Sequence, residues 1–334
     1  MRTDPRPSIE LEELRVGFPT TGNEWTNVVD GVTLVVGAGE RIGLVGESGS
    51  GKSLTALACL GLVPEPGRLT GGSVTVAGAN VAGMSEIDLQ RLRGGEIGLI
   101  LQEAVEALNP VYTVGFQVAE TIAVHRGLGR QEASREALRL LNDAALEAPE
   151  DIARAYPHEL SGGQSQRIML ALALAGRPRT LIADEPTSAL DSLTQAQVIE
   201  LLDRLVVERD MGLLLISHDL VVVEGMVDRI AVLFAGRIVE EGPTRAVFSE
   251  PLHPYTRTLL ASAPGRRRRT DSSVRYQRPS DHSVSLGGCR FAGRCKLAQE
   301  ACRVTEPELT ELGDHRRVRC PVVVSGREGN HVDG

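Results

Sequence analysis

Apolar positions come in short runs bounded by glycine and polar residues over the first fifth of the chain. The runs Ile9–Phe18, Val28–Val36 and Arg41–Val45 read as strands, with a turn at Gly37–Glu40 between the last two. A glycine-rich loop, Gly46–Gly51, then opens an apolar helix from Lys52 to about Leu62. Residues 70–82 form another β segment, and helical patterns dominate from Ser85 to Leu174, with good helix formers over Arg130–Leu146. Next come strand Thr180–Ala183, helix Thr194–Arg209, strand Gly212–Ile216, helix Leu220–Met226 and strand Arg229–Phe234. Alternating strands and helices imply an α/β fold with a mainly parallel sheet and helices on both faces. An antiparallel β subdomain precedes it and a helical insertion interrupts it.

A domain boundary is expected near 262–288, where Pro264, Gly265, the run Arg266–Arg269 and a Ser-rich stretch follow one another. This divides the chain into residues 1–262 and a small cysteine-rich domain at 263–334. No internal repeat is visible. The arginine run reads as a solvated linker, with anionic lipid as the alternative.

Composition narrows the function. The 334 residues carry a net charge of −8 and only 3% aromatic residues, which argues against nucleic-acid binding. No apolar run approaches the roughly 18 residues of a spanning helix, and MRTDPRPSIE lacks the apolar segment of an export signal. A cytosolic protein is therefore expected, and its cysteines read first as metal ligands or thiols. Cys59, alone in an apolar helical run, reads as core.

Three segments carry the chemistry. Gly46-Glu47-Ser48-Gly49-Ser50-Gly51-Lys52-Ser53 fits G-x-x-x-x-G-K-S between a strand and a helix. In that context backbone N–H groups converge on phosphate oxygens, Lys52 reaches the β- and γ-phosphates, and Ser53 offers its hydroxyl to Mg²⁺. Thr180–Glu185 is an apolar strand ending in two carboxylates. Asp184 suits the Mg²⁺ shell, and Glu185 the orientation of an attacking water. The third segment is Leu160-Ser161-Gly162-Gly163-Gln164, which ends its helix-opening glycines well before the strand at Thr180.

That third segment resembles the signature motif of ATP-binding cassette (ABC) proteins. Gln102 then resembles the family's glutamine loop, Ser188–Asp191 its D-loop, and His218 its switch histidine. The resemblance spans about residues 8–262 and implies a phosphate-loop ATPase of the ABC cassette fold, binding ATP and Mg²⁺. It assigns catalysis to Glu185, His218 and Gln102, and magnesium to Ser53, Gln102 and Asp184. Nucleotide contacts fall to Gly46, Ser48, Gly49, Ser50, Gly51, Lys52, Ser53, Ser161, Gly162, Gly163, Gln164 and Asp191, of which Ser161 and Gly162–Gly163 act on the nucleotide of an opposite subunit, implying two cassettes that face each other. Phe18 stands where the family places the aromatic that stacks on adenine, while Trp25 lies in an extended 19–27 loop. The stretches Ala107–Gly115, Tyr156–Gly163, Ala235–Pro243 and His253–Pro264 are similar to ATPase subunits of oligopeptide, dipeptide and nickel importers. Ala104 departs from the proline usual after the glutamine loop.

Cys289, Cys295, Cys302 and Cys320 are spaced C-x5-C-x6-C-x17-C. Structural zinc sites prefer tighter pairs. Four dispersed thiolates suit a 4Fe-4S cluster, which the importer resemblance also implies; zinc and free thiols stay as alternatives. Because the nucleotide motifs end at His218, before the linker, Cys295→Ser is expected to leave ATP affinity nearly intact.

The leading function is therefore the motor of an importer. Its implied partners are a second cassette, identical or not, two integral membrane permease subunits and, indirectly, an extracytoplasmic substrate-binding protein. It would work at the cytoplasmic face of the membrane as a peripheral subunit. The competing readings are a nickel importer ATPase, a soluble non-transport cassette and a metal-binding adaptor with a dead nucleotide site. With Lys52 and Asp184 only 132 positions apart and no long heptad tract between them, a chromosome-type cassette is disfavoured.

Overall fold

The computed structural model describes residues 6–22, 24–102, 107–188, 190–263 and 287–328. Ala104, Arg266–Arg269 and most of the expected linker lie outside the described residues. The strands are β1 (Ile9–Pro19), β2 (Trp25–Val36), β3 (Arg41–Val45), β4 (Arg68–Val76), β5 (Ala79–Asn80) and β6 (Ile97–Ile100). They continue with β7 (Thr180–Asp184), β8 (Gly212–Ile216), β9 (Arg229–Phe234), β10 (Arg237–Pro243), β11 (Thr310–Glu311) and β12 (Arg317–Val318).

An antiparallel sheet has the order β2-β1-β4-β5, and a larger one the order β11-β12-β10-β9-β3-β8-β7-β6. Within the larger sheet β9, β3, β8, β7 and β6 run parallel. Its side chains alternate between two cores, as the period of two in a strand requires. Leu181, Ala183, Leu213, Leu215, Ile230 and Val232 face one core, packed with the helical insertion. Ile42, Leu44, Ile182, Leu214, Ile216 and Leu233 face the other, where the antiparallel sheet and helix Lys52–Cys59 cover them. Helices were expected on both faces; the antiparallel sheet takes most of one, because β1 and β2 bury eight apolar side chains such as Leu11 and Leu34 against it.

Two helices stop earlier than their apolar pattern suggests. Helix Lys52–Cys59 ends in a Schellman turn, with Leu62 N–H donating to Leu57 O at 2.9 Å and Gly61 N–H to Ala58 O at 3.1 Å. Gly61 takes φ +61°, open to glycine at little cost. Helix Arg130–Asp143 closes the same way, with Leu146 N–H on Leu141 O and Ala145 N–H on Asn142 O. Cys59 is fully buried, and burial pushes its thiol up to about 12, so it is core.

The cysteine-rich tail is built into the larger sheet across the boundary expected near 262. Its β12 pairs antiparallel with β10, Glu240 opposite Val318 and Glu241 opposite Arg317. Arg316 donates to the Glu240 carboxylate at 2.8 Å and to Glu250 O at 2.7 Å. Glu240 is wholly buried and also accepts the N–H groups of Leu252 and His253. A buried charge needs such partners, and removing one leaves the other uncompensated. Arg316→Met should therefore cost about 3 kcal/mol, at the low end for a broken buried pair because the two N–H donors remain. Urea unfolding checks this; a loss under about 0.5 kcal/mol, the size of an exposed pair, would show that Glu240 holds the tail without Arg316.

Candidate functional site

The phosphate-loop segment curls at the C-terminal edge of β3, the edge where open α/β sheets bind ligands. Gly46 has no room for a side chain: a Cβ would lie 2.1 Å from Leu233 O. Gly51 caps the following helix at φ +104° and offers no side chain to it, so the first helical N–H groups face the loop's cavity. Ser48, Gly49, Gly51, Lys52, Ser53, Gln102, Glu185 and His218 line that cavity, about 370 Å³ in volume. Four separate stretches of the chain, the phosphate loop, Gln102, Glu185 and His218, are thus gathered in one place. A larger cleft of about 800 Å³ lies between helical-insertion residues such as Arg126 and Glu136, and none of the motif residues lines it.

Lys52 is 7% exposed and donates to Gly46 O at 2.9 Å and Glu47 O at 3.1 Å. Burial lowers its pKa, opposed by the negative charges of Glu185, Asp184 and Glu47. Asp184, also 7% exposed, is raised by burial and pulled back by a hydrogen bond from Ser53 and by the Lys52 charge. Its Oδ1 is buried without a hydrogen-bond partner. An ionised carboxylate with a bare buried oxygen beside a hydroxyl suits a hard divalent cation.

Glu185 follows β7 in a left-handed conformation, φ +49°, held by its N–H on Ile216 O at 2.9 Å. Its Oε2 lies 2.7 Å from His218 Nδ1. The His218 side chain is 72% exposed, so it is no core histidine. Ser188 Oγ donates to the carbonyls of both Gln102 and Glu185, tying the D-loop segment to the glutamine-loop segment; Ala189 lies outside the described residues.

Ser161–Gln164 and Asp191 are not in this cavity. Ser161 and Gln164 form a capping box on helix Gly162–Leu174, Gln164 N–H on Ser161 Oγ and Ser161 N–H on Gln164 Oε1. Asp191 caps helix Ser192–Glu208, and the Thr194 hydroxyl and N–H lower its pKa. The two caps adjoin: a Cβ on Gly163 would approach Thr194 Cγ2 to 2.7 Å.

Neither aromatic candidate lines the cavity. The Phe18 ring packs on Gly67, within 2.6 Å of where a Cβ would stand, and Trp25 opens β2 under the Arg68 guanidinium, 4.0 Å from its ring centroid. Val28 and Leu54 supply the apolar wall. Sequence reading missed Val28, which reaches the site only through the packing of β2.

All four tail cysteines line one small cavity with His253, Phe291 and Pro321. Burial pushes Cys289 up to about 11 and also raises Cys295 and Cys320. Among the described residues no three His, Cys, Asp or Glu side chains are grouped so as to hold a single metal ion. The tail also touches the phosphate loop: Arg294, next to Cys295, forks onto the Glu47 carboxylate at 2.8 and 3.1 Å.

Among the described residues no helix is long and apolar enough to cross a membrane. Two family models match the chain: "ABC transporter" over residues 29–188 and "Oligopeptide/dipeptide transporter, C-terminal region" over 239–302. A "Putative peptide import ATP-binding protein" of Brucella melitensis biotype 1 is 44% identical over 320 residues, covering 94% of this chain and 95% of its own. A protein of the same description from Brucella abortus (strain 2308) is 41% identical over 331 residues, covering 94% and 97%. Among solved structures, the ATP-binding cassette MJ0796, dimeric in a post-hydrolysis state bound to ADP and Pi, superposes with a TM-score of 0.63 at 31% identity, over 71% of this chain and 99% of that one. The motif order, the fold and these relatives agree: the chain belongs to the ABC transporter family, as one of its ATP-hydrolysing cassettes.

Proposed function

We propose that this cassette is the motor of an importer for oligopeptides or dipeptides, working peripherally at the cytoplasmic face with two membrane permeases and a second cassette. The observation that carries the ATPase site is the convergence of a buried ammonium, Lys52, and a carboxylate–imidazole pair, Glu185–His218, on one cavity at a helix N-terminus. The peptide cargo is supported by the descriptions of the relatives and by the oligopeptide/dipeptide C-terminal region. That region also weighs against a soluble non-transport cassette.

The phosphate-loop N–H groups and Lys52 bind the β- and γ-phosphates of ATP, and Lys52 exchanges its two loop carbonyls for phosphate oxygens. Ser53, Asp184 and Gln102 would hold Mg²⁺, which neutralises charge on the phosphate oxygens when bound. Glu185 accepts a hydrogen bond from water and aims its oxygen at the γ-phosphorus; His218 holds the carboxylate in place. The new P–O bond forms as the bond to the β-phosphate oxygen breaks, giving ADP and phosphate. Ser161–Gln164 lie outside their own chain's cavity, consistent with a role on the nucleotide of the facing cassette. The dimeric state of the MJ0796 cassette supports that pairing.

The four cysteines would hold a 4Fe-4S cluster. Its support is that all four thiols line one cavity.

Glu185→Gln should retain ATP binding and slow turnover by about 10²–10⁴-fold, the usual contribution of a positioned base. Wild-type turnover in the assembled transporter would remove Glu185 from catalysis. Lys52→Ala should instead weaken binding itself.

Asp184→Asn tests the cation site and has a defined pH signature. Burial raises the folded pKa of Asp184, so its charged form costs stability above that pKa, and the cost fades as pH falls through it. The nucleotide-free variant should be more stable than wild type at pH 7, the gap should close on acidification, and Mg²⁺ should no longer tighten nucleotide binding. Unchanged Mg²⁺ dependence would place the cation elsewhere.

Anaerobically purified protein should contain about four irons and four acid-labile sulfides per chain, and Cys295→Ser should lose them. One zinc and no iron in fresh protein would rule the cluster out and leave the motor reading intact.

A further inference from the structure

Glu47 is the second residue of the phosphate loop, and each of its polar groups is held. Its N–H donates to the Tyr255 hydroxyl at 2.8 Å, and its carbonyl accepts from Lys52 Nζ at 3.1 Å and from Ser50 N–H at 3.2 Å. Its carboxylate takes both arms of Arg294. Three of these ties are internal to the cassette. The fourth comes from the turn Ala292–Arg294, between Cys289 and Cys295.

Arg294 is fixed from behind as well. Its guanidinium stands 5.5 Å from the ring centroids of both Phe234 and Phe291. Phe291 lies edge-on to Phe234 at 5.3 Å and to Tyr255 at 5.6 Å, and Phe234 meets Tyr255 at 4.5 Å. Phe291 also walls the cysteine cavity, beside His253, whose Nδ1 accepts from Tyr255 N–H. A continuous packed path thus runs from the four thiols through Phe291 and Tyr255 to the loop that binds phosphate.

A solvent-exposed ion pair on flexible side chains would be worth little. This pair differs in two respects. It is bidentate, the geometry in which Arg–carboxylate contacts are strongest and most directional. The Arg294 side chain is only 25% exposed and its guanidinium lies against two rings, so part of the entropy of holding it is already lost in packing.

We propose that Arg294 is a positioning residue for the phosphate loop, so that ATP affinity depends on the order of the cysteine cavity. It touches no nucleotide; it holds Glu47, and Glu47 carries the carbonyl on which Lys52 rests. When the tail loosens, Arg294 leaves, and the loop must pay its own ordering entropy on binding phosphate. Linkage makes the effect reciprocal, so bound ATP steadies the tail.

The inference rests on the cavity being the ATP site, and the test separates the two. Fluorescent ATP-analogue titration of the full chain gives Kd for wild type, Arg294→Gln, Arg294→Lys and Glu47→Gln. Arg294→Gln should raise Kd about five- to twentyfold, the range of one charge-assisted hydrogen-bonding pair discounted for partial exposure. Arg294→Lys should recover part of it. Glu47→Gln leaves the tail sequence untouched and should raise Kd similarly, with the double variant no worse than either single. In the assembled transporter KM for ATP should rise while kcat at saturation holds. Hydrogen exchange of residues 289–302 should slow on adding ATP in wild type and not in Arg294→Gln. Equal Kd in wild type, Arg294→Gln and Glu47→Gln overturns the proposal while the ATP site stands. Additive losses in the double variant overturn it too, since the two side chains then act apart. No nucleotide binding by wild type overturns both readings.

Discussion

The nucleotide end of the molecule depends on one close approach, that of Gly46 to the carbonyl of Leu233. The parallel pairing of β3 with β9 brings them together, Val45 opposite Val232, and only a residue without a Cβ fits. The next residues of β9 extend the hold. Gly236 N–H donates to Ser50 O, and Gly236 O accepts from Asp30 N–H, so the β9–β10 turn grips the phosphate loop and β2 together. Arg290 from the tail bonds Ala235 O and Asp30 at the same turn. Phe234 then carries the aromatic contacts to Tyr255 and Phe291. One strand end therefore sets the loop's curl, the position of Val28 in the cavity wall, and the docking of the tail.

On that frame the fold places charges where water cannot fully serve them. Burial pushes the pKa of Lys52 down and that of Asp184 up, each against the charge its chemistry needs. Their mutual attraction and the Ser53 hydroxyl recover part of the cost, but Asp184 Oδ1 stays without a partner. Such a site is pre-organised and under-satisfied, and a ligand that brings anionic phosphate and a divalent cation relieves both deficits at once. The left-handed backbone of Glu185 belongs to the same economy of strain at a functional edge.

The chain's own pattern made the parallel strands, the phosphate loop, the Asp184–Glu185 edge and His218 legible, because each depends on local spacing. Glycine, lysine and hydroxyl residues in a fixed order between a strand and a helix leave few other structures. What could not be read was set by distant packing. Val28 lines the cavity only because β2 is pinned to the β9–β10 turn, where a Cβ on Gly236 would lie 2.2 Å from Val28 O. Phe18 is drawn away to Gly67 by β1–β4 pairing. Helix ends at Gly61 and Ala145 were hidden because an apolar pattern continues through a Schellman turn. Arg294 lies 247 positions from Glu47, and nothing in either neighbourhood announces the other.

The tail's attachment has a physical logic beyond its cysteines. Without it β10 would be the free edge of the larger sheet, presenting unpaired backbone groups and the buried carboxylates of Glu240 and Glu241. Strand β12 closes that edge, while Arg316 and Arg317 supply the counter-charges from its own segment. The segment that neutralises the edge is continuous with Cys320, which lines the same cavity as Cys289, Cys295 and Cys302. The thiol cavity is thus anchored on both sides, to the sheet edge through β12 and to the phosphate loop through Arg294. On the proposed reading, loosening there reaches the phosphate loop through Arg294 and Glu47, a side-chain contact in place of a strand ladder.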